Sequence, residues 1–146
     1  MNTKRIGNAT ELKCLAYLYD IGCSVSIPYG NSDKYDMIID VNGELFKVQC
    51  KHPTIGFDDQ QNAQTISFDG RWQSHNTQKY QKRQYKKTEI DFFATFYQGK
   101  CYLIPVGECN SIKTLRITSP KNHQEKNITY LHDYLAEKIL NISSAE

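Results

Sequence analysis

The stretch YDMIIDVNGELFKVQCK, residues 35–51, is the most informative part of this chain. Two runs rich in Ile, Val and Phe lie on either side of Asn42 and Gly43. Asn and Gly accept the positive φ angles of a type I′ turn, so this pattern predicts a β-hairpin. Residues 35–40 would form its first strand and residues 45–51 its second.

The polar residues of this hairpin fall on one surface. Asp36 opens the first strand, and Gln49 and Lys51 lie near the end of the second. Because side chains alternate between the faces of a strand, Gln49 and Lys51 point to one side while Val48 and Cys50 point to the other. Two oxygen donors and an ammonium group are therefore expected together, which is an arrangement suited to metal chemistry.

Composition limits the class of protein. The chain has 146 residues and a formal net charge of +2, so we expect a single domain over residues 1–146, and the charge alone does not indicate nucleic-acid binding. Its five cysteines include no Cys-x-x-Cys pair, which argues against a disulfide framework or a structural zinc site and favours reduced, mostly buried thiols. No apolar run reaches the roughly 18 residues of a membrane span, so we expect a soluble cytoplasmic protein.

The rest of the chain predicts an α/β fold with a mixed sheet of four or five strands flanked by helices. Residues 8–10 followed by 11–21 predict a helix that ends at Gly22, with Glu11 in its first turn. A polar loop is expected between Pro53 and Asn62. Further predicted elements are a first strand at 23–28, a strand at 63–69, a central strand pair at 90–97 and 100–106 joined by Gln98-Gly99, an edge strand at 112–117 and a terminal helix at 128–140.

A basic and aromatic segment occupies residues 71–87. It holds six Lys or Arg residues and three aromatic residues, and it contains no Asp or Glu. This composition favours contact with phosphates, sugars and bases over the alternative of a solvated charged face. The predicted nucleic-acid-binding residues are Arg71, Trp72, His75, Lys79, Tyr80, Lys82, Arg83, Tyr85, Lys86 and Lys87. Gln78, Gln81 and Gln84, in what is expected to be an unstructured loop, are candidates for reading base edges.

Glu11, Asp36, Gln49 and Lys51 occur in the order of a known family. The chain from about residue 7 to residue 115 resembles the PD-(D/E)XK nuclease superfamily, and within it the group I intron-associated homing endonucleases. Tyr35 stands in place of the Pro of that motif, and Gln49 stands in place of its second acid. A Gln carbonyl is still a hard oxygen that Mg²⁺ accepts, although the site has one negative charge fewer.

The resemblance implies a restriction-endonuclease-like fold and a divalent-metal-dependent DNA endonuclease of the homing type, which cuts both strands. Glu11, Asp36, Gln49 and Lys51 would be the catalytic residues. Glu11, Asp36 and Gln49 would bind Mg²⁺, or Mn²⁺ as a substitute, and Lys51 would orient or deprotonate the attacking water. One such site cuts one strand of double-stranded DNA, so a homo-oligomer, a dimer or larger, is expected.

Several alternatives stay open. The chain could be a structure-selective nuclease of the Holliday-junction type, an RNase or interbacterial toxin on the same fold, or a DNA-binding module that Gln49 leaves without metal and without activity. Glu11 alone could serve only to stabilise the helix dipole. His52 is more often a surface residue at such a position, and Asp33, Asp40 and Asp91 are expected to be structural or solvated.

Overall fold

The computed structural model describes residues 2–30, 32–73, 82–119 and 126–143. Its helices are α1 (Thr3–Asp20) and α2 (Ala136–Ile139), with single 3₁₀ turns at Val106–Glu108 and Leu131–Tyr134. The strands are β1 (Ser24–Ser26), β2 (Met37–Val41), β3 (Glu44–Cys50), β4 (Thr54–Phe57), β5 (Ala63–Asp69), β6 (Arg71–Gln73), β7 (Lys82–Gln84), β8 (Phe92–Tyr97), β9 (Lys100–Pro105) and β10 (Ile112–Arg116).

The main sheet has five strands in the order β1-β2-β3-β8-β9. Neighbouring strands are antiparallel except β3 and β8, which are parallel, so the sheet is mixed. The predicted α/β class and the mixed sheet of four to five strands are confirmed. Strand β3 lies in the middle of this sheet, whereas β9, which was predicted to be central, lies at its edge. Most of β9 is nonetheless buried, because the C-terminal turn Leu131–Tyr134 and α2 pack against it.

The predicted hairpin is present with the predicted turn. Asn42 and Gly43 have φ angles of 53° and 89°, and Met37 pairs with Val48 in the register of the two strands. The carboxylate of Asp40 accepts a 2.7 Å hydrogen bond from the Gly43 N–H, so this acid is used by the turn itself. Both strands of the predicted site are therefore fixed by local sequence.

Two apolar cores lie on opposite faces of the main sheet. The first lies under α1 and contains Cys14, Leu18, Met37, Ile39, Val48, Ala94 and Leu103, among others. The second lies on the other face and contains Ile66, Phe68, Ile90, Phe93, Ile104 and Leu115, among others. Val48 and Phe93 thus face opposite cores, as strand alternation requires. The second core is covered by a separate three-stranded sheet in the order β10-β5-β4.

Helix α1 begins earlier than predicted. The side chain of Asn2 caps it by accepting a 2.8 Å hydrogen bond from the Arg5 N–H. Thr10, at the start of the predicted helix, instead lies within α1 and donates its hydroxyl to the Ile6 carbonyl one turn back. Glu11 consequently lies in the middle of α1, and the prediction that it occupies the first turn is wrong.

The end of α1 agrees with the sequence. Gly22 has a φ of 111°, which favours glycine. The Gly22 N–H donates to the Tyr19 carbonyl and the Cys23 N–H donates to the Leu18 carbonyl. These two bonds form a Schellman motif, so Gly22 ends the helix as predicted.

Two other predicted segments differ from the structure. The region after Pro53 was predicted to be a loop, but β4 (Thr54–Phe57) pairs there with β5. The terminal helix predicted over 128–140 is interrupted, because Leu135 adopts extended backbone and forms an isolated bridge to Tyr102 on β9. Pairing to the sheet edge therefore outweighs the apolar periodicity of that segment.

The cysteines are mostly buried, as expected. All five cysteines are free thiols, and four of them are buried. Within the described ranges, no helix is long and apolar enough to cross a membrane.

Candidate active site

A polar cleft of about 970 Å³ lies where the start of β2 and the end of β3 meet the first half of α1. Glu11, Asp36, Gln49 and Lys51, the four predicted catalytic residues, all line it. The structure therefore brings together residues that are as much as 40 positions apart in the sequence.

The backbone of the main sheet holds Asp36 in place. Its N–H donates to the Val48 carbonyl at 2.8 Å, and its carboxylate accepts a 2.8 Å hydrogen bond from the Cys50 N–H. One carboxylate oxygen of Asp36 is thus tied to β3, between Gln49 and Lys51. The end of β3 is itself fixed to β8, because the Lys51 N–H donates to the Ala94 carbonyl at 2.8 Å.

Glu11 reaches the cleft from the middle of α1. Partial burial raises the pKa of its carboxyl, and the negative charge of Asp36 raises it further. The charge of Asp36 therefore acts on Glu11 across the cleft. The interpretation of Glu11 as a helix-dipole residue loses its basis, because Glu11 lies far from the first turn.

The charged groups of the cleft are destabilised by burial. Burial raises the pKa of Asp36, while the Cys50 N–H and the Lys51 ammonium oppose that rise. Burial also lowers the pKa of Lys51, against the attraction of Asp69 and Asp36. A cation placed near the two carboxylates would stabilise their ionised forms and offset part of this cost.

The donor set at this place fits a hard divalent cation. Glu11 and Asp36 supply carboxylate oxygens, and Gln49 supplies an amide oxygen. Across the ranges that the structure describes, no group of three or more His, Cys, Asp or Glu side chains is arranged to hold a metal. A metal centre here would therefore rely on Gln49, backbone carbonyls or water for its remaining oxygens.

Two aromatic rings form the wall beside Lys51. Its Nζ lies 5.6 Å from the centre of the Tyr85 ring and 6.0 Å from that of Phe93. The two rings meet edge to face at 5.4 Å. Tyr85, predicted to contact nucleic acid, thus lines the cleft next to the predicted catalytic lysine, and burial raises the pKa of its hydroxyl to about 12.

Two short strands, one at each end of the basic segment, pair to form a two-stranded ribbon. Strand β6 pairs with β7, with Trp72 opposite Arg83, so the expectation of an unstructured loop is wrong for these positions. The ribbon follows β5 directly and places Arg71 and Trp72 in the cleft wall. Among the predicted contacts and base readers, His75, Gln78, Lys79, Tyr80 and Gln81 lie outside the described residues.

Carboxylates on both sides of this segment pair with its cations. Asp69 accepts hydrogen bonds from Arg71 at 2.9 Å and from Lys82 at 3.0 Å. Glu89 receives two 2.8 Å bonds from the Arg83 guanidinium. The acids absent from residues 71–87 therefore lie immediately outside it, and the positive charge is less isolated than the sequence alone indicates. Lys86 and Lys87 remain exposed at its end.

Sequence reasoning missed further residues of the cleft, among them Lys4, Asn8, Lys34 and Asp69. Lys34 lies over the Trp72 ring, with its Nζ 4.1 Å from the ring centre, and the Arg83 guanidinium lies 4.9 Å from the same ring. A lysine two positions before Asp36 was a usable signal, but the approach of Trp72 depends on tertiary structure.

Other acids and the candidate histidine of this region have structural contacts. The Asp91 carboxylate accepts from the Lys47 N–H at 2.8 Å, which fixes β3 next to the start of β8. His52 is exposed, and its Nδ1 lies 2.8 Å from the Thr10 hydroxyl oxygen. Asp33, expected to be structural or solvated, is one of the residues that line the cleft.

Comparison with known proteins identifies the family. The chain matches the description PD-(D/E)XK endonuclease over residues 1–137. It belongs to the PD-(D/E)XK endonuclease family. The resemblance drawn from Glu11, Asp36, Gln49 and Lys51 is thereby confirmed, and the protein is a nuclease.

A solved structure supports the fold of this PD-(D/E)XK endonuclease. The chain is similar to the solved structure of the bacterial homing endonuclease I-Ssp6803I. The match has a TM-score of 0.73 and 22% sequence identity, and it covers 97% of this chain and 94% of that one. At this identity the likeness shows the fold. A comparison with curated proteins found no match.

Proposed function

We propose that this PD-(D/E)XK endonuclease hydrolyses phosphodiester bonds in double-stranded DNA with Mg²⁺, for which Mn²⁺ can substitute. The observation that carries the proposal is the convergence of Glu11, Asp36, Gln49 and Lys51 in one cleft. The whole chain, residues 1–146, acts as one nuclease domain. Its five free thiols support a reducing compartment, so we place it in the cytoplasm.

Three residues would hold the ion. Asp36, with one carboxylate oxygen free, lies just before β2, and Gln49 lies near the end of the neighbouring β3. Glu11 faces both from α1. When bound, the ion supplies charge neutralisation at the phosphate and lowers the pKa of a nearby water. The raised pKa values of Glu11 and Asp36 support this role, because both carboxyls gain stability as anions when a cation is near.

Lys51 acts on the attacking water and on the phosphate. The water oxygen forms a new bond to phosphorus while the bond from phosphorus to the leaving sugar oxygen breaks. As a neutral amine, which burial favours, Lys51 can accept the proton that the water gives up, and as an ammonium it stabilises the negative charge of the pentacovalent transition state. Tyr85 and Phe93 hold its side chain on this path.

Cations around the cleft would bind the DNA backbone. Lys4 and Lys34 lie in its wall, and Lys86 and Lys87 are exposed beyond the ribbon. The cations that pair with carboxylates would be shared between those carboxylates and DNA phosphates. These paired cations are Arg71, Lys82 and Arg83. The Trp72 ring keeps Lys34 and Arg83 in place.

A homing-type double-strand cut follows from pairing two such centres. The structural likeness to a bacterial homing endonuclease supports this mode of action and the DNA substrate. Since one centre breaks one strand, we propose a homo-oligomer, a dimer or larger, whose symmetry favours a roughly palindromic target. Association with an intron is part of the same proposal.

The test is incubation with randomised plasmid libraries, a four-way DNA junction and tRNA, each with Mg²⁺ and with EDTA. We expect sequence-dependent linearisation of plasmid DNA in Mg²⁺ and no cleavage in EDTA. Cleavage of the junction regardless of sequence would replace the proposal with a structure-selective nuclease, and cleavage of tRNA alone would make it an RNase. Binding without cleavage in any metal would show that Gln49 has left an inactive DNA-binding module.

A further inference from the structure

Helix α1 is apolar on two opposite faces. Its inner face packs on the main sheet through Cys14 and Leu18, both 0% exposed. On the outer face Leu12 and Tyr19 are 66% and 69% exposed, with the exposed Ala16 between them. These three residues follow the i, i+4, i+7 spacing of a single helical stripe. Such a stripe in water is typical of a surface that binds another protein.

Opposite charges stand at the two ends of this outer stripe. Arg5 lies seven residues before Leu12, and Asp20 lies four residues after Ala16, so both continue the same face. Both side chains are exposed. Neither forms an ion pair within the part of the chain that the structure describes. The face is therefore positive at its N-terminal end and negative at its C-terminal end, and the exposed Lys13, seven residues before Asp20, borders its apolar centre.

We propose that the outer face of α1 binds the same face of a second copy of this chain, with the two helices antiparallel. A twofold axis then places Arg5 of each copy against the partner's Asp20. The helix has 18 residues and is about 27 Å long, so the two ion pairs stand at the ends of the contact. Leu12 and Tyr19 pack between them, and the small side chain of Ala16 lets the helices approach closely.

The charge order of the face selects this partner and orientation. A parallel pairing would set Arg5 against Arg5 and Asp20 against Asp20, which is unfavourable. A nucleic acid would be repelled by Asp20 and would leave the exposed leucine uncovered. An antiparallel second copy satisfies both ends and covers the apolar centre at once.

The location of the face gives the pairing a purpose. The first half of α1 lines the catalytic cleft through Gly7, Asn8 and Glu11, on the flank beside the outer stripe, because Asn8 lies four residues before Leu12. Pairing the outer faces therefore joins two clefts through the same helices, and each can act on one DNA strand. Only this purpose rests on the proposed nuclease function, because the association itself is measured without DNA or metal.

Sedimentation equilibrium of the full chain without DNA tests the proposal. We expect the parent protein to associate, and Arg5→Glu or Asp20→Lys alone to raise the dissociation constant at least about tenfold through like-charge repulsion. The double variant, with both charges exchanged, should return to within about threefold of the parent. Each substitution also suits the helix dipole at its own end, so weaker association cannot be ascribed to a destabilised helix.

A second pair of variants tests the apolar centre. Ala16→Glu should dissociate the protein, whereas Ile112→Glu, at a 62% exposed position on β10, should not. If Ala16→Glu fails to fold, shown by circular dichroism, the charge-exchange set alone decides. The proposal is overturned by a monomeric parent protein at all concentrations, by an Ala16→Glu protein that folds and still associates, or by a double variant without rescue.

Discussion

Gln49 is the residue at which this site departs from the acid named in its family motif. The amide keeps an oxygen donor at the end of β3 but contributes no charge. Asp36 already raises the proton affinity of Glu11, so a further carboxylate next to these two would be unfavourable without a cation. Under the proposed mechanism, the glutamine would make the metal-free cleft more stable and reduce its affinity for the ion.

Gln49→Glu should tighten Mg²⁺ binding at least about tenfold, because a unit charge near a cation contributes on the order of 1 kcal/mol or more even at high effective dielectric. The two side chains are nearly isosteric, so the fold should be kept. Calorimetric titration with Mg²⁺ measures the change. Gln98→Glu, the same substitution in the exposed turn before β9, is the control. Equal affinities of the parent and the Gln49→Glu protein would show that residue 49 is not a ligand.

Lys51 is predicted to serve the reaction more than the complex with DNA. Lys51→Ala should lower the single-turnover cleavage rate at least about 100-fold and change DNA affinity only a few-fold. Lys100→Ala removes a lysine from the exposed start of β9 and should leave both quantities unchanged. Rate and fluorescence anisotropy are measured on the same duplex. A Lys51→Ala protein that cuts at the parent rate would remove Lys51 from the mechanism.

At the scale of elements, the β6–β7 ribbon is held to the body of the protein by its ion pairs. Arg71 and Lys82 meet Asp69 on one side, and Arg83 meets Glu89 on the other. These partners explain how a short ribbon keeps a defined place beside the cleft. They also make its cations available to phosphates only in competition with two carboxylates.

Lys82→Ala combined with Arg83→Ala should weaken binding to all duplexes. Each cation that no longer binds a phosphate reduces the slope of log K against log salt by about 0.9. Affinity for cognate and scrambled duplexes is measured at several salt concentrations. Lys100→Ala with Lys138→Ala removes the same charge from exposed positions away from the cleft and is the matched control. An unchanged slope for the first pair would make the ribbon a solvated face that does not bind DNA.

Glu89 makes the anchoring of the ribbon dependent on pH. The Arg83 guanidinium lowers the pKa of Glu89 to about 2, against a value of about 4.3 in an unfolded chain. A carboxyl with a depressed folded pKa stabilises the fold above the unfolded value, and that contribution disappears as pH falls toward the folded one. The Tm of the parent should therefore fall more steeply between about pH 5 and pH 2 than that of Glu89→Gln.

Thermal melts monitored by circular dichroism across this pH range test the role of Glu89. Glu44→Gln, at the exposed start of β3, has no ion pair in the described ranges and should keep the steep fall of the parent. Parallel curves for the parent and the Glu89→Gln protein would show that the Arg83 pair contributes nothing to the fold.

The elements that the sequence predicts well are those with local causes. Asn42-Gly43 and Gln98-Gly99 each join paired strands as predicted, since their turns need only the positive φ angles of those residues. The start of α1 was misplaced because the helix was predicted from the apolar stripe after residue 11, whereas the cap that begins it is Asn2. Strand β4 was missed because it depends on pairing with β5, for which the local sequence gives no signal.

At the scale of the whole molecule, the site and its surroundings differ in how far they can be predicted. The grouping of Glu11, Asp36, Gln49 and Lys51 follows from strand alternation together with family resemblance. The division of the strands into three separate sheets could not be predicted, because sheet membership depends on which edges meet after collapse. The positions of Lys4, Lys34 and Asp69 in the cleft have the same cause.

The likeness to a homing endonuclease shows which part of the molecule is retained. At 22% identity the fold persists over nearly the whole of both chains. The two cores on opposite faces of one mixed sheet account for this, since apolar residues of similar volume can replace one another there.

Metal-dependent cleavage at Asp36 is best tested by comparing the parent and Asp36→Asn proteins on a plasmid that carries the parent's target site. The amide keeps the size of the side chain but removes its charge. We predict linear product from the parent in Mg²⁺, none from the parent in EDTA, and none from the Asp36→Asn protein in Mg²⁺ although it binds the same DNA within a few-fold. Cleavage by the Asp36→Asn protein, or by the parent in EDTA, would contradict a metal-dependent reaction at Asp36.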